Sequence, residues 1–319
     1  MKYIKKFFLL FFLTSSSCLF ANNSKIEFLI QPYFSIKFGS QNEDLYYSSG
    51  YKCSNLKWEE KPITSAGINL LFSLYKFGID CFYEFAIPSQ CGKMFDSDWI
   101  YTSDYPEGLK TTYSIHENSI KSNFFTKFDF FYTFNITKSL SILPKLSFSF
   151  EHYKFEARNG YGYYGKAEHS LNHENVSFDS EFAKFYPNLY GINLERNYYI
   201  LWTGVSINFD IKKISLKSNF LISPFSYSTS KNFHYGSSNG FYTNTYIKNY
   251  FTNYKINIDI IYKITKKFNI RLGTDFIYMY SKKDTIYSDY HGIMAETNQK
   301  GCGNNTLIKI NLGCLFKIK

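Results

Sequence analysis

The chain has 319 residues, a formal net charge of +10, and 21% aromatic residues, yet its mean hydropathy is −0.27. Beyond the N-terminus no stretch approaches the ~20 apolar residues that a spanning helix needs, which excludes a helical membrane protein. The lysines are scattered among strand-like segments and not gathered into a patch, which argues for solvated side chains and against a nucleic-acid partner.

Residues 1–21 read as a secretory signal: Lys2, Lys5 and Lys6 precede an apolar run from Phe7 to Leu13, then small polar residues lead to Ala21. Cleavage after Ala21 is expected, with Ser15-Ser16-Ser17-Cys18 offering a lipoprotein-type alternative. The remainder, 22–319, reads as one barrel. Cys18 aside, Cys53, Cys81, Cys91, Cys302 and Cys314 make an odd number, so at least one thiol is unpaired. There is no CxxC and no Cys–His cluster, and no metal or cofactor is expected.

Period-2 alternation recurs along the chain. In 254–264, Tyr254, Ile256, Ile258, Ile260 and Tyr262 alternate with Lys255, Asn257, Asp259 and Lys263. In 268–280, Phe268, Ile270, Leu272, Phe276 and Tyr278 alternate with Asn269, Arg271, Gly273 and Asp275, and 308–318 and 124–136 behave alike. Alternation alone fits a soluble sandwich or a membrane barrel. Secretion, the aromatic load and the loop rhythm favour the barrel, apolar outside and polar within.

Short turns are expected at 74–77, 136–140, 210–213 and 264–267. Long polar loops are expected near 39–46, 89–118, 158–190, 230–243 and 283–304. That predicts an all-β, ten-stranded antiparallel transmembrane barrel, with strands at 25–38, 46–73, 78–88, 119–136, 140–157, 191–209, 213–229, 244–263, 268–282 and 305–318. Several exceed the ~9–11 residues that cross a bilayer, so the barrel should rise above the outer surface. Lys127, Asp129 and Asp259 are expected to plug its narrow lumen.

Two segments carry candidate chemistry. In 92–99, Asp96 and Asp98 share one face of extended backbone, and paired carboxylates can position a water. In 232–235, His234 is a candidate base.

The run Gly92-Lys93-Met94-Phe95-Asp96-Ser97-Asp98-Trp99 resembles the first catalytic signature of the omptins, ten-stranded outer-membrane endopeptidases. Asn232-Phe233-His234 stands where that family has D-x-H. Segments 39–43, 54–58 and 157–160 also resemble omptin segments. The resemblance implies that Asp96 and Asp98 hold the attacking water and stabilise the oxyanion, that His234 deprotonates the water, and that Glu43 binds a basic substrate side chain. It also implies a polypeptide substrate and an outer-membrane lipid partner.

The chain departs from the family at three places. Asn232 replaces the aspartate behind the imidazole; an amide can orient the ring but brings no charge. In a serine-protease triad the same change costs about 10⁴ in rate. Asp284, Asp289 and His291 are the polar residues of loop five that could compensate. Ser230 replaces an acidic residue of the substrate pocket. His152 replaces an arginine of the lipopolysaccharide cluster, beside Phe148 and Phe150, which leaves lipopolysaccharide dependence doubtful. The function implied is an outer-membrane endopeptidase; the alternatives are a catalytically weakened barrel serving as an adhesin or surface-binding protein, and a porin.

Overall fold

A computed structural model describes residues 26–165, 174–235, 241–290 and 293–318, excluding the side chains of 241, 242, 289, 290, 293 and 294. The expected signal at 1–21 and His291 lie outside these residues. All regular structure among them is strand: β1 (Ile26–Tyr46), β2 (Lys52–Leu74), β3 (Phe77–Ala86), β4 (Ser89–Ile100), β5 (Leu109–Tyr132), β6 (Phe134–Asn135), β7 (Leu140–Tyr164), β8 (Lys184–Leu189), β9 (Ile192–Ile211), β10 (Ile214–His234), β11 (Phe241–Asn249), β12 (Asn253–Lys263), β13 (Phe268–Tyr280), β14 (Asp284–Tyr290) and β15 (Ile293–Ile318).

These strands build a ring of 10 antiparallel staves. β3 runs on into β4, β11 into β12 and β13 into β14, while short β6 and β8 pair with β7. Pro88 separates β3 from β4, where it has no amide hydrogen to give to a ladder. β1 pairs with β15 from Phe28 opposite Ile318 to Tyr46 opposite Lys300, so the sheet closes and no edge is left to aggregate.

Alternation places apolar residues outside. Phe34, Ile36, Ile256, Ile258, Ile260, Ile308, Ile310 and Leu312 are all exposed, whereas Lys37, Lys255, Asp259, Asp275 and Lys309 are buried in the lumen. Only lipid makes that inversion favourable. The lumen charges are paired: Glu84 meets Lys37 at 2.9 Å and Lys309 at 3.0 Å. Arg271 meets Asp259 at 2.7 Å and Lys127 meets Asp129 at 2.9 Å. A polar cavity of about 230 Å³ remains among these groups.

Higher up, the interior turns apolar. Leu56, Trp58, Met94, Tyr153, Phe155 and Leu194 pack into a buried cluster inside the barrel, with the Trp58 and Phe155 rings 5.8 Å apart. A wet channel has no use for such a cluster; it forms a dry floor beneath the mouth.

The staves are longer than the alternation indicates. Segments 39–46 and much of 89–118 are strand, not loop, and β10 runs to His234. The reason is physical. Above the lipid the outer face is wet, so the outward positions of β1 change from Phe34, Ile36 and Phe38 to Ser40 and Asn42. With polar residues on both faces, the two-residue rhythm disappears although the ladder continues.

Candidate active site

Asp96 and Asp98 stand on β4, held between β2 and β5. Asp96 lies opposite Leu56 and Ser114, and Asp98 opposite Ser54 and Thr112. Both carboxylates share the face of buried Met94, are half-buried themselves, and so point toward the barrel axis. Glu43 also lies opposite Leu56, which places Glu43, Leu56, Asp96 and Ser114 in one row across four staves. At the usual strand spacing Glu43 and Asp96 are about 10 Å apart along the wall.

The same row continues to Gly162 on β7, opposite Ser114, and on to Tyr186 of β8. The Tyr164 ring folds over this glycine; a Cβ there would lie 2.9 Å from the ring. Burial, then the charges of Asp96 and Asp98, push the Tyr164 phenol up to about 12. It therefore stays protonated and is a hydrogen-bond donor beside the two carboxylates. Lys110 stands over the rings of Tyr113, Phe178 and Trp99, at 4.4, 4.6 and 5.5 Å. Burial lowers its pKa, against the attraction of Asp179 and Asp96.

The other wall is the tip of β10, four staves away. Alternation turns Ser230, Asn232 and His234 to the same face. Ser230 and Asn232 are buried and His234 half-buried. Burial pushes the imidazole down to about 4, so the ring is neutral near pH 7 and able to accept a proton.

Asn232 donates from Nδ2 to Glu43 Oε2 at 2.9 Å, and its Oδ1 accepts no hydrogen bond among the described residues. The amide thus serves Glu43, not the imidazole. Glu43 also pairs with Arg196 of β9 at 2.9 Å. Arg196 donates further to Ser230 Oγ at 3.3 Å and Gln41 Oε1 at 3.2 Å. So Glu43, Ser230 and Asn232 do come together, around a guanidinium belonging to the chain itself.

Sequence reasoning missed Arg196, Tyr164 and Lys110. Each is a common residue type in an unmarked position, and only its strand partners reveal its neighbours. Asp284 accepts a hydrogen bond from the Thr285 amide at 2.8 Å. The side chain of Asp289 lies outside the described residues. On the outer wall His152 Nδ1 meets Asn197 Oδ1 at 2.8 Å, and Phe150 packs beside Phe124 and Tyr199. Among the described residues no group of three or more His, Cys, Asp or Glu could hold a metal ion, and Cys53, Cys81, Cys91, Cys302 and Cys314 are free thiols.

The family model described as Omptin family matches residues 35–316. No curated protein matches. Among solved structures, the outer membrane protease OmpT from Escherichia coli is similar with a TM-score of 0.78 at 16% identity, over 92% of this chain and 97% of that one. Two other outer-membrane barrels align far less well. The outer membrane protein OprG from Pseudomonas aeruginosa gives a TM-score of 0.34 at 7% identity, over 92% of this chain and 95% of that one. The P. putida toluene transporter TodX gives 0.30 at 6%, over 92% and 90%.

Proposed function

This chain belongs to the omptin family and sits in the cell outer membrane, and from that premise we propose that it is an endopeptidase with its active site facing outside. The observation that carries the proposal is the pair Asp96 and Asp98 on one inward wall with a neutral His234 on the wall across the mouth.

A water held by the two carboxylates attacks a peptide carbonyl of a polypeptide substrate. His234 takes the proton as the oxygen–carbon bond forms. The carbonyl electrons move to oxygen, where the protonated Tyr164 phenol and the one proton shared by the Asp96–Asp98 pair donate hydrogen bonds to the charge. When the carbon–nitrogen bond breaks, His234 returns the proton to the leaving amine. No covalent intermediate forms and no cofactor takes part.

The lowered imidazole pKa sets the pH dependence. Protonation disables the base, so kcat/KM should rise as pH increases through about 4 and be level across 6.5. A pH–rate profile on a quenched peptide checks this. An acid limb centred near 6.5 would mean that the working histidine is not desolvated.

A second reading, a binding protein descended from an enzyme, is favoured by one observation: residue 232 is a neutral amide whose Nδ2 donates to Glu43 at 2.9 Å. Asn232→Asp discriminates between the two. The new carboxylate would be repelled by Glu43 and swing toward the ring, where its charge stabilises the imidazolium. The endopeptidase reading predicts measurable native cleavage and a gain in kcat of about tenfold or more, within the ~10⁴ seen for the reverse change in a triad. Cleavage found only in the variant would favour the binding protein. Cleavage in neither, at any pH, would sink the protease reading.

A further inference from the structure

Glu43 is the acid that the family resemblance assigns to a substrate's basic side chain, but it is not vacant. Arg196 reaches across the lumen from β9 to β1 and meets its Oε2 at 2.9 Å. Both residues are buried, Arg196 at 5% exposure and Glu43 at 3%. The guanidinium is held from two further directions, by Gln41 Oε1 and by Ser230 Oγ. Gln41 is itself fixed, donating to Glu60 at 2.9 Å and accepting from Tyr198 at 3.3 Å. Asn232 supplies the remaining donor to the same Glu43 oxygen.

We infer that Arg196 is a specificity-determining residue, a resident guanidinium that fills the acid pocket and closes it to Arg and Lys, so that the site takes an uncharged side chain at that position. The electrostatics leave little alternative. Glu43 is answered by one guanidinium and the next acid, Glu60, is already held by Gln41, so a second cation would have to enter a nearly dry site without a carboxylate of its own, and burying an unpaired charge is strongly unfavourable. Displacing Arg196 offers no relief, because the displaced guanidinium would lose its partner in the same dry region. What remains beside the pair is a small cavity of about 40 Å³ lined by Ser226, Ser228, Ser230, Thr245 and Asn305, all neutral. Ser230 fits this arrangement: its hydroxyl accepts from the guanidinium without adding a charge. Where substrate is concerned this rests on the endopeptidase reading; the preference of the pocket can be measured with no cleavage at all.

The test uses the mature chain refolded in detergent, with Arg196→Ser and Arg196→Gln made in parallel so that a folded variant is in hand. Ethylguanidinium, the chemical head of an arginine side chain, is titrated against the thermal unfolding midpoint. The native barrel should show no saturable shift. The Arg196 variants should bind the probe at least about tenfold more tightly than the native chain, and adding Glu43→Gln to them should abolish binding. Equal binding by native and variant barrels overturns the inference, as does failure of the folded variants to bind. A second arm compares native cleavage of paired peptides differing only in one basic or neutral residue. A preference for Arg or Lys above about tenfold that Glu43→Gln removes also overturns it. Absence of all cleavage would count against the endopeptidase reading and leave the guanidinium titration to decide.

Discussion

His234→Ala should lower kcat by about 10²–10⁴-fold, the range that a positioned general base contributes. The residue sits at the last position of β10 with its ring half-buried, so trimming it removes no core packing and the barrel should refold unchanged. The loss should fall on kcat with little change in KM, because the ring acts on the water and not on the bound peptide. Asp96→Asn should act in the same direction through the water-holding pair, and the double variant should be scarcely worse than either single one, as for residues that act as a unit. Retained cleavage in His234→Ala would mean that another group takes the proton. Buried His116 on β5 would then be the first to examine: it is held by Ser114 Oγ at 3.1 Å, and burial likewise pushes it down to about 4.

The second large effect concerns the barrel itself. Glu84 is fully buried and answers two lysines, Lys37 and Lys309. Glu84→Ala leaves both cations in the lumen with weaker partners, Glu151 at 3.2 Å for Lys37 and Asp275 at 3.6 Å for Lys309. Breaking a buried pair from one side costs about 3–5 kcal/mol, and here two lysines lose their nearer carboxylate. The unfolding midpoint in denaturant should drop accordingly, with cleavage near normal at temperatures where the variant stays folded. A loss below about 1 kcal/mol would show that water reaches these lysines and screens them. The same network argues against a pore, because its paired side chains obstruct the lumen and an apolar layer around Trp58 and Phe155 lies above it.

The membrane-crossing part of this architecture is legible in the chain. Ile256, Ile258 and Ile260 face lipid while Lys255, Asn257 and Asp259 face the lumen, as the two-residue rhythm implies. The upper wall is not legible in that way. Glu43, Asp96 and Asp98 lie in segments with no rhythm, because polar and apolar residues occur on both faces of those strands. The inner face of the upper barrel defeats the pattern in a second way: Leu56, Trp58, Met94 and Phe155 are apolar and point inward, opposite to the sense that holds lower down.

The candidate site was partly visible. The two aspartates and His234 stand out only through the resemblance of 92–99 and 232–234 to omptin segments; a D-x-D pair or a single histidine is by itself a weak signal. Arg196 does not stand out at all. Nothing near Glu195-Arg196-Asn197 marks an arginine whose partner is 153 residues away in sequence. Long-range pairs of this kind are set by barrel closure, which places β1 and β9 on facing walls. For the same reason the resemblance, which implies that Asn232 stands behind the imidazole, gives no hint that its amide donates to Glu43.

The central claim is that Asp96, Asp98 and His234 make this barrel an endopeptidase. Its most direct test is to incubate the intact mature barrel, in micelles carrying outer-membrane lipid, with a mixed peptide library between about pH 4 and 9, and to read the products by mass spectrometry beside an Asp96→Asn control. Discrete internal cleavages by the native chain that vanish in the control are the predicted result. A library left intact by the native chain, or cut equally by both, would contradict it.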